Sequence, residues 1–192
     1  MSAKRHLNRV IAAGGLALAS WCIGASAAAE SFTLTSTTFT DGTLMPKKVA
    51  NINPQNPNCV GENVSPELSW SGAPDGTKSF ALTMVDPEGR FGLGVFHWVA
   101  YGIAPSTTGF AEGEVSHDGP KFVGGKSTQG VGHYSGPCTP PGSPHHYTFV
   151  IIATDLDPHE LPPGLTLPEL QARLVGHTKG AAGLVGLFVN PR

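Results

Sequence analysis

A chain of 192 residues with 14 acidic and 12 basic side chains has a formal charge of −2, which argues against nucleic acid as its main partner. Its 25 glycines and 17 prolines are spread along the chain, which favours short strands joined by turns over long helices. The length suits one domain with one core.

The first segment reads as a leader. Lys4, Arg5 and Arg9 make a basic start. Val10 to Ile23 is an apolar run broken only by Gly and Ser, and Ala25-Ser26-Ala27-Ala28-Ala29 follows. Charge, grease and small side chains in that order mark a secretory signal peptide, with cleavage after Ala27 or Ala29. The run falls short of the roughly 20 residues of a stable membrane span, and no later stretch reaches that length. Cys22 follows Trp21, where a lipoprotein peptidase needs a small residue, so it reads as a cysteine discarded with the leader. The expected organisation is a leader over 1–29 and one domain over 30–192, exported to the periplasm or beyond. Without Lys4, Arg5 and Arg9, nine basic residues face fourteen acidic ones, a charge of −5. An anion site on such a chain must be local.

Beyond the leader, Phe32-Thr33-Leu34-Thr35 alternates like a half-buried strand. Ser79–Val85 is a stronger strand that stops at Asp86-Pro87. Phe96–Ile103 and His146–Ala153 are two more, and Gly183–Val189 could be a last one. One helix is expected: Thr166 and Glu169 form a capping-box pattern, and Leu167, Leu170, Leu174 and Val175 fall at helical spacing before Gly176. Cys59 and Cys138 lie beyond the leader. An oxidising compartment makes a disulfide the expected state, since no Cys-x-x-Cys spacing points to metal.

Polar residues gather at strand ends. Asp86-Pro87-Glu88-Gly89-Arg90 follows one strand, and His97 opens the next beside Trp98. A proline-stiffened loop, Gly136-Pro137-Cys138 to Pro144-His145-His146-Tyr147, runs into the strongest strand. Taken singly, Asp86-Pro87 is an ordinary turn start and His97 a packed histidine. With alternation, only one of His145 and His146 can face a given side.

Three motifs carry a resemblance. Asp86-Pro87-Glu88, then His97-Trp98-Val99, is similar to the Asp-Pro-Asp-Ala-Pro and Trp-His-Trp-Val motifs of the phosphatidylethanolamine-binding protein family. Asn63-Val64-Ser65-Pro66-Glu67-Leu68-Ser69-Trp70 resembles the family's Asn-x-Ser-Pro segment, and Gly136 to Tyr147 its Gly-Pro-Cys … Pro-His-Arg-Tyr segment. All three stand in the family's order, and the spacing fits its bacterial branch, named for likeness to the Raf kinase inhibitor. The resemblance implies a mainly β fold, an antiparallel sandwich of Greek-key character with a small C-terminal helix. It also implies a ligand pocket of Asp86, His97, Gly136, Pro137, His145 and Tyr147, with no cofactor, metal or catalytic residue. Gly89-Arg90 replaces Ala-Pro, adding a cation at the rim. Val95-Phe96 replaces an aromatic pair, Ser127 stands for Asn and His146 for Arg, and the loop before His145 is one residue shorter.

The chemistry of that set favours an anion or a phospholipid headgroup. His97, His145 and Tyr147 can donate, with backbone N–H groups of Gly130–His133 and Gly136 completing a cradle. Asp86, acceptor-only when ionised, is expected to orient a histidine. Pro137, Pro140, Pro141 and Pro144 limit the entropy lost on binding. A second reading is a protein-directed inhibitor, since relatives include inhibitors of kinases and of a carboxypeptidase; export leaves a periplasmic protease or a host protein as target. A third, a hydrolase using Ser143, His97 and Asp86, lacks a Gly-x-Ser-x-Gly elbow and a His-Glu-x-x-His zinc motif.

Overall fold

The computed structural model describes residues 30–191, so the leader expected at 1–29 lies outside the described residues. In chain order the strands are β1 (Thr33–Thr35), β2 (Thr43–Leu44), β3 (Leu68–Ser71), β4 (Ser79–Asp86), β5 (Val95–Ile103), β6 (Gly109–Phe110), β7 (Val123–Gly124), β8 (His145–Thr154) and β9 (Thr178–Phe188). A helix spans Leu167–Leu174. The strands form a three-stranded sheet, β1-β3-β6, and a six-stranded sheet, β2-β9-β8-β4-β5-β7. Every pair is antiparallel except β2 with β9.

The fold is therefore mainly β, as expected. The two sheets share one core because their strands alternate. Leu34, Leu68, Trp70 and Phe110 of the small sheet pack with Phe80, Leu82, Met84, Trp98, Phe149 and Ile151 of the large one. Trp70 meets the ring of Phe80 at 5.7 Å, and Trp98 that of Phe110 at 5.9 Å. Fully burying each such side chain contributes about 1.5–3 kcal/mol, which makes this layer the main source of stability. The opposite face of the large sheet carries Ala81, Val99 and Tyr101, covered by Leu167, Leu170 and Leu174 of the helix. Trp70, Trp98 and Tyr101 are thus core residues.

The helix starts on the expected capping box, with Thr166 and Glu169 bonding each other's backbone N–H groups. It ends one residue sooner than the apolar spacing suggests: Val175 is the C-cap and is 79% exposed. The last strand begins at Thr178, five residues before the expected start, since Thr178–Ala182 already pair with β8. Cys59 and Cys138 are joined in a disulfide that bridges 79 residues of chain.

Candidate functional site

Topology brings the three polar segments together. β4 lies between β8 and β5 and runs antiparallel to both. The end of β4, which carries Asp86, therefore meets the starts of β5 and β8, which carry His97 and His145. A register shift makes the cluster possible. Met84 pairs with Trp98 and Val85 with Phe96, so His97 is the extra residue of a bulge in β5. Strict alternation from Trp98 would send His97 to the helix side of the sheet; the bulge re-aims it. In β8, His145 shares the parity of buried Tyr147, Phe149 and Ile151, while His146 is exposed.

A cavity of about 270 Å³ opens at these strand ends, lined by Asp86, His97, Thr139, Pro140, His145 and Tyr147 together with the turn Glu88–Phe91. Asp86 is 3% exposed. Its Oδ1 accepts the Gly89 N–H at 2.9 Å and its Oδ2 lies 2.8 Å from His145 Nδ1. A carboxylate accepts, so Nδ1 of His145 carries the proton and Nε2 is the ring nitrogen left for a ligand. His97, also 3% exposed, is fixed the same way, its Nδ1 donating to the Ser135 carbonyl at 2.7 Å. Burial lowers the pKa of His97, and the Ser135 carbonyl and the charge of Asp86 offset only part of that. The ring of His97 meets that of Tyr147 edge-on at 5.1 Å. Tyr147 is fully buried, and its hydroxyl shares a 2.6 Å hydrogen bond with Thr139. Burial pushes that phenol far above its usual value, with Asp86 adding to the effect, so Tyr147 stays neutral.

At the rim, His146 donates to Glu88 through Nδ1 at 2.7 Å and through its backbone N–H at 3.2 Å. Partial burial opposes ionisation of Glu88, but these bonds outweigh it and lower its pKa. Asp86, Glu88 and His145 hold ligand atoms within 4.8 Å of one another, close enough for a cation. All three are already committed to hydrogen bonds, and a metal there would displace those of both His145 and His146.

Gly136 and Pro137 do not line the cavity. The Gly136 N–H, expected in an anion cradle, donates to Asn63 Oδ1, and the Pro137 carbonyl accepts from Asn51 N–H. A Cβ at Gly136 would lie 2.0 Å from the Val49 carbonyl oxygen, so this residue permits a close backbone crossing beneath the site. Gly130 and Gly132 line a separate, open groove with Asp118 and Lys126, of about 400 Å³ and without His97 or His145. Ser143 is exposed and outside the cavity lining, so the structure does not assemble a triad around it.

A family model described as "Phosphatidylethanolamine-binding protein" matches residues 35–189. The chain belongs to the phosphatidylethanolamine-binding protein family. Relatives include LppC of Mycobacterium tuberculosis strain H37Rv, 36% identical over 162 residues, which cover 84% of this chain and 74% of LppC. YbcL of Escherichia coli K12 is 41% identical over 100 residues, 50% of this chain and 55% of YbcL. The crystal structure of YbcL, described as a new member of the mammalian family, superposes with a TM-score of 0.74 at 29% identity, covering 82% of this chain and 98% of that one. The structure of CT736 from Chlamydia trachomatis does so at 0.69 and 32%, covering 82% and 96%.

Some site residues escaped a family-based reading. Thr139 and Gln129 line the cavity without lying at a position that any motif singles out. Asn63 stood in a matched motif without a role. In the structure it holds the loop beneath the site, donating to the Tyr134 carbonyl and accepting from Gly136.

Proposed function

We propose that this family member is an exported binding protein whose cavity takes a small anion, with the phosphate of a phospholipid headgroup as the best-fitting class. One observation carries the reading. His97 and His145 line a single cavity, and each has its Nδ1 proton already committed, to the Ser135 carbonyl and to Asp86. Each Nε2 then holds the lone pair of the neutral ring and becomes a donor to an anion when that ring takes up a second proton, so one ligand can receive both. Arg90 adds a permanent cation at the rim. Asp86 opposes an anion through its charge when ionised, and the Gly89 N–H and His145 Nδ1–H bonded to its two oxygens offset part of that charge. Binding rather than turnover suits the lining hydroxyls, because those of Thr139 and Tyr147 bond each other instead of a base. Export agrees with the leader-like start of the chain and with the disulfide. LppC, a relative, carries a lipoprotein name.

Calorimetric titration with phosphoethanolamine and inorganic phosphate tests the reading. The protein should bind both, more tightly as pH falls from 7.5 to 6. His145→Gln should weaken binding about ten- to a hundredfold, the range for a lost charge-assisted hydrogen bond. Equal affinity in the variant, or no heat at millimolar ligand, contradicts the proposal.

A further inference from the structure

The turn between β4 and β5 carries the most exposed large apolar side chain among the described residues. Phe91 is 106% exposed, and Leu93, two residues on, is 77% exposed. The backbone is bent to display them. Arg90 (φ 53) and Phe91 (φ 60) both occupy the left-handed region, which side chains bearing a Cβ seldom adopt. Proline, fixed near φ −65, could not take the conformation of Arg90. The turn is held by backbone bonds from Gly92 N to the Glu88 carbonyl at 3.1 Å and from Gly94 N to the Gly89 carbonyl at 2.9 Å. It is also a wall of the cavity, through Glu88, Gly89, Arg90 and Phe91.

We infer that this lip docks the protein on a zwitterionic phospholipid bilayer, with Phe91 and Leu93 entering the interface and Arg90 resting on lipid phosphates. The inference rests on the headgroup reading of the cavity and goes beyond it. At about 270 Å³ the cavity is at or below the small end of ligand pockets, about 300–1,000 Å³. A phospholipid whose phosphate reaches the histidines must leave its acyl chains outside, at the mouth, where the two apolar side chains stand. Lip and cavity then address two ends of one molecule. Charge selects the kind of surface. From Glu30 on, nine basic residues face fourteen acidic ones, and the lip's single cation sits two residues from Glu88. Electrostatic adsorption to an anionic membrane is therefore opposed, and apolar insertion must drive contact.

The chain from Glu30 on, which holds both sheets and their core, is tested with vesicles of phosphatidylcholine alone and mixed with phosphatidylethanolamine. Phe91→Trp serves as reporter against the buried Trp70 and Trp98. Its emission should shift to the blue on adding vesicles. Leu93→Ser should cut vesicle partition about tenfold, as expected for one leucine kept in water, while phosphoethanolamine titration stays unchanged. An unshifted Phe91→Trp emission, or Leu93→Ser partition equal to the parent, overturns the lip. So does a Leu93→Ser variant that also loses soluble phosphoethanolamine, because the residue then serves the cavity. If vesicles shift the reporter but phosphoethanolamine does not bind, the lip stands and the cavity reading falls.

Discussion

His97 joins the site to the stability of the domain. Its ring is buried and its pKa is lowered, burial being the main cause. The unfolded chain takes up this proton near the ordinary value of 6.5, before the folded chain does. Stability therefore falls as pH drops through 6.5 and levels off below the folded pKa, with a slope of at most about 1.4 kcal/mol per pH unit for one proton. Glu67, Glu88, Glu114, Asp155 and Glu169 have lowered pKa values, so their contributions fade only from about their ordinary 4.5 or 3.8 downward. The two windows separate. Urea unfolding at pH 7 and pH 5.5 should show a loss for the parent that shrinks in His97→Gln. An equal loss in both would assign the effect elsewhere. At this scale the motifs pointed to Asp86, His97 and His145, because strand-end polar residues are visible in sequence. They could not show that the hydroxyl of Tyr147 is spent on Thr139, or that Glu88 is held by His146, because both bonds link residues whose partners only the folded chain reveals.

Strands with regular alternation were legible; those whose packing rests on glycine were not. β4, β5 and β8 alternate large apolar residues and were expected nearly to the residue. β9 was expected too short, because its first half, Thr178-Lys179-Gly180-Ala181-Ala182, has little side chain to read. There the strand packs by close approach, and a Cβ at Gly180 would meet the ring of Pro74 at 2.9 Å. The bulge at His97 is equally silent in sequence: spacing places the residue on a strand, but only the register of β4 against β5 decides its face. Gly136 was read as an anion donor when its work is to let the loop cross Val49–Asn51. Gly136→Ala should cost about 1–3 kcal/mol, the range for overpacking, and should distort the site from below. Gly119→Ala, where a Cβ meets nothing within 4 Å, is the control and should be nearly neutral. Similar urea midpoints for the two would contradict the close crossing.

At the scale of the molecule, the fold presents the ends of β4, β5 and β8 as the candidate site and ties the site's loop to a distant part of the chain. Cys138 lines the cavity, and its bond to Cys59 closes 79 residues of chain. On the chain-entropy model such a link contributes about 4–5 kcal/mol. The Cys59→Ser, Cys138→Ser double variant should lose stability of that order, and more anion affinity than Gly119→Ala does, because the 137–141 segment is then less restrained. Unchanged denaturation midpoints with intact binding would remove the disulfide from both roles. The disulfide was readable because it depends on the count and order of the cysteines rather than on packing.

In the proposed site, His97 and His145 present their Nε2 atoms to one anion. Imidazole ¹⁵N NMR, recorded while phosphoethanolamine is added near pH 6.5, tests it most directly. The Nε2 resonances of His97 and His145 should move together and saturate at one ligand per protein, while both Nδ1 sites stay protonated. Resonances that do not move, or His146 responding in their place, would contradict it and redirect attention to protein partners at the surface.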